Sequence, residues 1–337
     1  MSAQKSNTWQ FYPSFYSVNS LSAVDNEAVI TTGGGIIIRS NDEIQTLGIA
    51  DGLYINEALA ALLDIERDLI YTGYADGTID VIDNRDQTIR RLDDIRRVER
   101  FDSKSINSFK LYDNSLLVGT DFGIVEYDLN SFLVKNSYFR FGSLPSGIGV
   151  NDLMVHNDSL YVTTTQGVAI AAINDELNNN SVWTTYNESN GLNSSVSDKI
   201  VTFTDSVYVL NNRNISAYRN GNWGNSFPEI NDEIIDLSVS SNQQYIAILS
   251  ESSVYVFNQN YVVEVFDVTE INGKNTVGIT TDKIIIGTEY TGIYYLDRQN
   301  NDLSRILPEG PQFNYLNKLL IDSEVFSGNF NFRVSGI

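Results

Sequence analysis

The chain has 337 residues, of which 42% are hydrophobic and 19% charged, a composition that excludes a long disordered chain. A formal net charge of −21 argues against binding to nucleic acid or gripping anionic lipid through a basic surface. The absence of cysteine excludes disulfides and thiolate metal sites, and no apolar run is long enough to predict a transmembrane helix.

The N-terminal segment predicts export. The first nine residues, MSAQKSNTW, are too short and too polar to form a signal peptide. However, Ser2-Ala3-Gln4 resembles the small-residue end of a cleaved signal with a methionine placed before it. We therefore expect an exported protein.

A unit of short apolar strands recurs seven times along the chain. Its central hairpins occupy residues 28–40, 69–83, 116–128, 160–172, 207–219, 245–257 and 284–297. Their turn positions lie 40 to 46 residues apart by subtraction, at Gly35, Gly77, Gly123, Gly167, Asn212, Ser252 and Gly292. One strand precedes each hairpin, as in 105–113, and another follows it, as in 132–141. Four short strands in such a length are typical of a propeller blade.

The repeat predicts an all-β fold, with a single β-propeller of seven four-stranded blades in residues 1–307. A blade cannot bury both faces alone, and stacking the blades around an axis covers them. Residues 308–337 are expected to begin a truncated second propeller or to form a linker. The closure of the ring stays open, because residues 8–13 and residues 305–308 compete for the outer strand of the last blade.

Residues 57–68, EALAALLDIERD, have a composition compatible with a helix. The repeat register instead places an innermost strand in their first half. Because local and global patterns agree in foldable sequences, we give precedence to the register and predict a strand.

The acidic stretch 74–83, YADGTIDVID, occupies the turn position of the second repeat. Gly77 supplies the permissive backbone of the turn, and Asp76 is a usual turn residue. Asp80 and Asp83 follow on the next strand. A calcium loop needs alternating acidic ligands and a distant glutamate, and that spacing is absent. We therefore expect a turn, with no metal and no cofactor.

No set of residues predicts a catalytic centre. His156 is the one histidine and lies just before a turn. The sequence contains no GxSxG motif that would supply a nucleophile for it. The three glycines of TTGGGIII (31–38) fall in a blade hairpin and do not match a phosphate-binding loop. Acidic pairs are expected by chance in a chain with 43 acidic residues, and a propeller lyase or hydrolase remains an alternative without support. These pairs are Asp93-Asp94, Asp175-Glu176 and Asp232-Glu233.

The tryptophans and one basic run are interpreted as structural features. Trp9, Trp183 and Trp223 are expected to pack outer strands on neighbouring blades, with an aromatic glycan platform as the alternative. The basic run 90–100, RRLDDIRRVER, is expected on an outer strand and the loop that follows. There it protects a sheet edge with charge, and a docking patch is the alternative.

The units resemble two-component-regulator propeller repeats, on the strength of Gly52-Leu53, then Asp64, then Gly77, and of a second start at Gly191-Leu192. In the order of its motifs the chain is more similar to the PorZ family of the type IX secretion system. The motifs are TWQFYPSFYSVNSL (8–21), DGL (51–53), YADGTIDVID (74–83), KSINSF (104–109), DFGIVEYDL (121–129), TTTQGV (163–168), VW (182–183) and LPEGPQFN (307–314).

The resemblance implies a non-catalytic binding or scaffold propeller on the outer-membrane surface or in the periplasm. It implies a role in sortase-dependent attachment of secreted proteins to anionic lipopolysaccharide. PorU-like sortase, PorV-like and PorQ-like proteins are the implied partners, with lipopolysaccharide or another glycan beside them. The alternative is a periplasmic glycan-sensing propeller of a hybrid two-component regulator. No ligand-binding residue is assigned, and four blade-loop aromatics are candidates by position only: Tyr54, Tyr74, Phe122 and Tyr290.

Overall fold

The computed structural model of the protein describes residues 13–40, 43–227, 230–306, 308, 318–322 and 325–329. Within these ranges the chain forms seven four-stranded antiparallel sheets, each made from one continuous segment. They are the seven blades of a β-propeller, and the predicted fold is confirmed. The helical content of the described chain is three single turns of 3₁₀ helix, at Ile49–Asp51, Asn180–Val182 and Glu188–Asn190.

The strands of each blade follow chain order from the innermost to the outermost. Blade 1 contains β1 Val18–Val24, β2 Glu27–Thr32, β3 Gly35–Ser40 and β4 Glu43–Leu47. Blade 2 contains β5 Ala60–Asp64, β6 Leu69–Gly73, β7 Ile79–Asp83 and β8 Ile89–Leu92. Blade 3 contains β9 Ile106–Tyr112, β10 Ser115–Thr120, β11 Gly123–Asp128 and β12 Val134–Tyr138. Blade 4 contains β13 Val150–His156, β14 Ser159–Thr164, β15 Gly167–Ala172 and β16 Thr184–Tyr186.

The remaining blades have the same order. Blade 5 contains β17 Lys199–Phe203, β18 Ser206–Asn211, β19 Asn214–Arg219 and β20 Asn222–Asn225. Blade 6 contains β21 Ile234–Val239, β22 Tyr245–Ser250, β23 Ser253–Asn258 and β24 Val263–Asp267. Blade 7 contains β25 Lys274–Ile279, β26 Lys283–Thr288, β27 Ile293–Asp297 and β28 Leu303–Ile306. A separate hairpin pairs β29 Lys318–Asp322 with β30 Val325–Asn329.

The hydrophobic core lies between the blades. Seven clusters of buried apolar residues each join the facing surfaces of two neighbouring blades, including blades 7 and 1. Because both faces of a blade are covered, the middle strands are buried along their whole length, as in β10. This explains why those strands are continuous apolar runs in the sequence.

A threonine-to-glycine turn joins the second and third strands of several blades. In blade 3 the Thr120 Oγ1 donates to the Gly123 carbonyl at 3.0 Å and accepts the Phe122 N–H at 3.3 Å. Gly123 has φ +139°, and a Cβ there would lie 2.2 Å from the Tyr138 carbonyl oxygen of the outer strand. Glycine is required here by backbone conformation and by close approach together.

The Gly-Leu steps that mark the repeats have a common structure. Gly52 and Gly191 end 3₁₀ turns with φ +111° and +114°. Leu53 and Leu192, which follow them, are 2% and 5% exposed and enter the cores between blades. The dipeptide therefore turns the chain and anchors the next blade.

The strand predicted over the helix-compatible segment is confirmed, since β5 occupies Ala60–Asp64. The open question of ring closure is answered for one candidate: β28 supplies the outer strand of blade 7. Most of the competing segment, residues 8–12, lies outside the described residues. The ring closes because β25 packs beside β1, with the Asn275 Nδ2 donating to the Val18 carbonyl at 2.6 Å.

Candidate functional site

The innermost strands of all seven blades enclose a central channel of about 350 Å³. Two residues at the start of each strand line it, which gives two rings. The first ring, here the entrance ring, consists of Asn19, Leu59, Asn107, Asn151, Asp198, Ile235 and Asn275. The second ring consists of Ser20, Ala60, Ser108, Asp152, Lys199, Asp236 and Thr276.

The asparagines of the entrance ring join successive blades. The Nδ2 of Asn19 donates to the Ala58 carbonyl of blade 2 at 2.9 Å, and that of Asn107 donates to the Val150 carbonyl of blade 4 at 3.0 Å. Asn151 makes the same contact at 2.9 Å with the Ser197 carbonyl. None of these residues was predicted from the sequence, although each is the second residue of an innermost strand.

The carboxylates of the second ring are also used between blades. Asp152 accepts the Ile200 N–H of blade 5 at 3.0 Å, and Asp236 accepts the Val277 N–H of blade 7 at 2.8 Å. The Lys199 Nζ lies 2.7 Å from Asp236 Oδ1. Burial raises the pKa of the Asp152 carboxyl, and burial lowers the pKa of the Lys110 ammonium near it. These charged groups therefore join neighbouring blades around the channel.

Two buried polar atoms of the rings have no hydrogen-bond partner within the described residues. They are the Ser108 Oγ and the Asn275 Oδ1. A buried oxygen of this kind can accept a hydrogen bond from a small polar molecule in the channel. These two oxygens could therefore bind a small polar ligand in the channel.

The acidic stretch 74–83 forms two different structures. Asp76 closes the predicted turn, accepting the Thr78 N–H at 3.0 Å. Asp80 is fully buried and accepts from Arg91 Nε at 2.7 Å and from the Tyr74 hydroxyl at 2.8 Å. Asp83 pairs with Arg85 at the opposite end of the strand. In the described part of the chain no group of three potential metal ligands is found, here or elsewhere.

Tyr54 connects this network to the surface. Its N–H donates to Asp80 at 2.7 Å and its hydroxyl donates to Asp76 at 2.8 Å. The guanidinium groups of Arg91 and Arg96 lie 5.1 and 5.5 Å from the centre of its ring. Two guanidinium groups and two carboxylates therefore hold the residue in place.

The basic run lies where it was predicted, on the outer strand β8 and the following loop. Its arginines are largely paired: Arg97 lies 2.6 Å from Asp93, and Arg91 is bound to Asp80. Arg100 stacks on Phe101 and Phe139 at 5.3 and 5.4 Å. The run thus combines edge protection with an arginine–aromatic surface above blade 3.

The four blade-loop aromatic residues that were candidates by position differ in exposure. Tyr74 and Phe122 are 0% and 2% exposed, so neither offers a ring to a ligand. Tyr54 is partly exposed and Tyr290 is 45% exposed. Only Tyr54 and Tyr290 of these four therefore have accessible rings, and they belong to different blades.

The other residues weighed in the sequence are structural in position. The His156 ring nitrogen lies 3.0 Å from the Asn157 amide at the end of β13. Trp183 is buried and donates to the Leu177 carbonyl, and Trp223 packs on Tyr186 of blade 4, as predicted. Trp9 lies outside the described residues.

The three acidic pairs do not converge. Asp93 pairs with Arg97, and Asp232 accepts from the Ser250 hydroxyl at 3.0 Å. Asp175 and Glu176 are exposed in the segment after β15. The three Gly33–Gly35 residues form the blade 1 hairpin and open no helix.

Comparisons with known proteins agree with this fold. Residues 29–184 match the family model described as the N-terminal β-propeller domain of PorZ of the type IX secretion system. The match extends from β2 to the first residue of β16. No curated protein matches the sequence. Among the described residues, no helix has the length and apolar character needed to cross a membrane.

Solved structures with the same architecture include PorZ, described as an essential bacterial surface component of the type IX secretion system of Porphyromonas gingivalis. Its TM-score is 0.75 at 15% identity, covering 94% of this chain and 42% of that one. The WD40 propeller of Doa1 has a TM-score of 0.63 at 13% identity, and the match covers 91% of this chain and 100% of that one. The extracellular domain of the putative one-component system BT4673 from B. thetaiotaomicron has a TM-score of 0.57 at 14% identity. The match covers 91% of this chain and 50% of that one.

At such low identities these structures establish the fold alone, and this chain spans less than half of the PorZ structure it matches. The resemblance to the PorZ N-terminal β-propeller that the sequence predicts is confirmed over residues 29–184 by the family model.

Proposed function

We propose that this propeller is a non-catalytic binding and scaffold module of a PorZ-like surface component of the type IX secretion system. In this role it supports the sortase-dependent attachment of secreted proteins to anionic lipopolysaccharide, on the outer-membrane surface. The observation that carries the proposal is the family match across blades 1–4. The proposal includes residues 308–337 as the start of a second propeller.

The partners in this proposal are proteins: a PorU-like sortase and PorV-like and PorQ-like components. The net charge of −21 opposes direct binding of an anionic glycan by this propeller. The channel supports the same view, because its lysine is paired with Asp236 and its asparagines join the blades. Protein surfaces can instead be met by the loops above the blades.

The test is made in cells that produce the protein. Its propeller is deleted from the chromosomal gene, and sortase docking is followed by co-purification and surface fractionation. We expect the sortase to leave the complex and secreted proteins to be released unattached. Unchanged docking and attachment would reject the proposal, whereas lost attachment with docking retained would assign the glycan to this propeller.

A second candidate function is glycan sensing in a hybrid two-component regulator. The observation that favours it is the likeness to the extracellular domain of a putative one-component system. Fractionation of the native protein separates the two: an inner-membrane product much longer than this chain supports sensing, and an outer-membrane product supports the secretion role.

A further inference from the structure

The outermost strand of blade 6 exposes an apolar edge. Val262, Val263 and Val265 are 61%, 40% and 55% exposed, and Tyr261 beside them is 41% exposed. Phe266 faces the other way into the core between blades 6 and 7. The valines therefore form a short apolar surface, here called the β24 edge, that the protein itself does not cover within the described residues.

The same residues present their backbone to a partner strand. The Asn258 N–H donates to the Val262 carbonyl at 3.1 Å, which fixes 258–262 as a hydrogen-bonded pair of the β23–β24 hairpin. Hydrogen-bonded pairs alternate along antiparallel strands, so the N–H and C=O groups of Val263 and Val265 point away from β23. The free edge thus offers donors and acceptors in register with two exposed valines.

Three of the other six outer strands carry basic residues, which β24 lacks. Basic residues stand on β8, β12 and β28, at Arg90, Lys135 and Arg305. Charged side chains on an edge discourage pairing with another chain. β24, like β4, β16 and β20, carries no lysine or arginine, and it exposes two valines beside the acidic Glu264 and Asp267. An exposed apolar edge of this kind marks an interaction site.

The charge around the β24 edge selects the partner. Glu264, Asp267 and Glu270 are exposed on or just after the strand. The nearby cations are engaged: Arg298 is 7% exposed and lies 3.0 Å from Glu264, and Arg219 donates to the Tyr208 hydroxyl. A second copy of this chain would bring a further charge of −21 to the same place.

We propose that the β24 edge binds an extended segment of another protein, in which β-branched apolar residues alternate with lysine or arginine. The segment adds to blade 6 as a fifth strand, with its backbone paired to Val263 and Val265. Its cations lie near the acidic side chains of Glu264, Asp267 and Glu270. This inference does not depend on the secretion role, because it concerns what the surface binds and not where the protein works.

The test uses the purified 337-residue chain and a labelled synthetic peptide of about eight residues, alternating valine or threonine with lysine. Fluorescence anisotropy should show saturable binding that weakens with added salt. Val265→Lys should weaken it by about tenfold or more, by adding like charge and removing apolar contact. Val134→Lys, at an exposed valine of β12, is the matched control and should leave binding unchanged.

Two altered peptides complete the design. A peptide with glutamate in place of lysine should not bind, and a peptide N-methylated at alternate residues should lose binding because it cannot pair with the edge. Equal binding of the N-methylated peptide, no binding of the first peptide, or no effect of Val265→Lys would each overturn the inference. Self-association in sedimentation that Val265→Lys abolishes would assign the edge to a second copy and overturn it as well.

Discussion

Blades 1–4 and blades 5–7 reach the same four-stranded geometry through different side chains. In blades 1, 3 and 4 the turn between the second and third strands uses a glycine with φ between +138° and +140°. In blade 5 the turn uses Asn212 and Arg213, with φ +43° and +68°. The family match covers the first group and ends before blade 5. The positive φ therefore falls on different positions: on the residue after the two turn residues in blades 1, 3 and 4, and on both turn residues in blade 5.

The buried carboxylates divide the blades differently, since blade 4 shares its arrangement with blade 6. In blades 2 and 3, Asp80 and Glu126 are bound by side chains of the outer strand of their own blade, including Arg91 and Tyr138. In blades 4 and 6 the carboxylates of the second ring bind the backbone of the next blade. The first arrangement stabilises single blades, and the second stabilises the junctions between them.

The largest effect is expected from Asp80→Asn. The change leaves the Arg91 guanidinium without its buried partner and disturbs the bonds from Tyr54 and Tyr74. Breaking a buried pair in this way costs about 3–5 kcal/mol. Denaturant unfolding measures the loss, with Asp83→Asn, at the partly exposed end of the same strand, as a control. Equal stability of the two variants would contradict an intrablade role for Asp80.

A somewhat smaller effect is expected from Asp236→Asn, because Asp236 accepts from Lys199, Thr276 and the Val277 N–H. Loss of hydrogen bonds to a charged group costs about 1.5–3 kcal/mol. Hydrogen exchange should rise at the junction of blades 6 and 7, in β25. For Asp80→Asn, the rise in hydrogen exchange should lie within blade 2. If exchange rises in the same place in both variants, the distinction between carboxylates that stabilise single blades and carboxylates that stabilise junctions is wrong.

Much of this architecture follows from the sequence, and the limits have physical causes. Seven blades, the β5 strand and the turn at Gly77 could be predicted because alternation and turn residues are local signals. The pairing of Asp80 with Arg91 could not, since it depends on the register that the β7–β8 turn sets. The asparagine of the entrance ring was a visible signal, recurring at the same place in VNSL (18–21), INSF (106–109) and VNDL (150–153).

The pH dependence of blade 3 gives a third test. Burial opposes ionisation of Glu126, but hydrogen bonds from Tyr138, Ser115 and Asn136 outweigh it and lower its pKa from 4.5 to about 2. A depressed folded pKa gives stability that is complete above the unfolded value and is lost as pH falls through the folded value. Glu126→Gln should therefore cost about 2 kcal/mol at pH 7.

That cost should shrink between about pH 4.5 and pH 2 and disappear below this window. Thermal unfolding of both proteins across the range measures it. Glu66→Gln, whose side chain is 90% exposed, is the matched control and should track the parent protein at every pH. A constant gap between Glu126→Gln and the parent would mean that the lost interaction does not require the ionised carboxylate.

The smallest effect is expected at the blade 5 turn, from Arg213→Gly. Arg213 holds φ +68°, a left-handed conformation that glycine adopts without strain, and Asn-Gly is the preferred pair for a two-residue hairpin of this kind. Its guanidinium pairs with Glu233, but that pair is exposed and contributes little. Relief of left-handed strain is worth about 1–2 kcal/mol, and the greater chain entropy of glycine costs about 0.5–1 kcal/mol, so the net gain in stability should be about 0.5–1 kcal/mol. Arg213→Lys keeps the charge and the strain and should change little, so a gain in unfolding midpoint for lysine as large as for glycine would show that the backbone is not the source. A gain confined to glycine would mean that the blade 5 turn carries backbone strain at Arg213, whereas blades 1, 3 and 4 place their positive φ on a glycine.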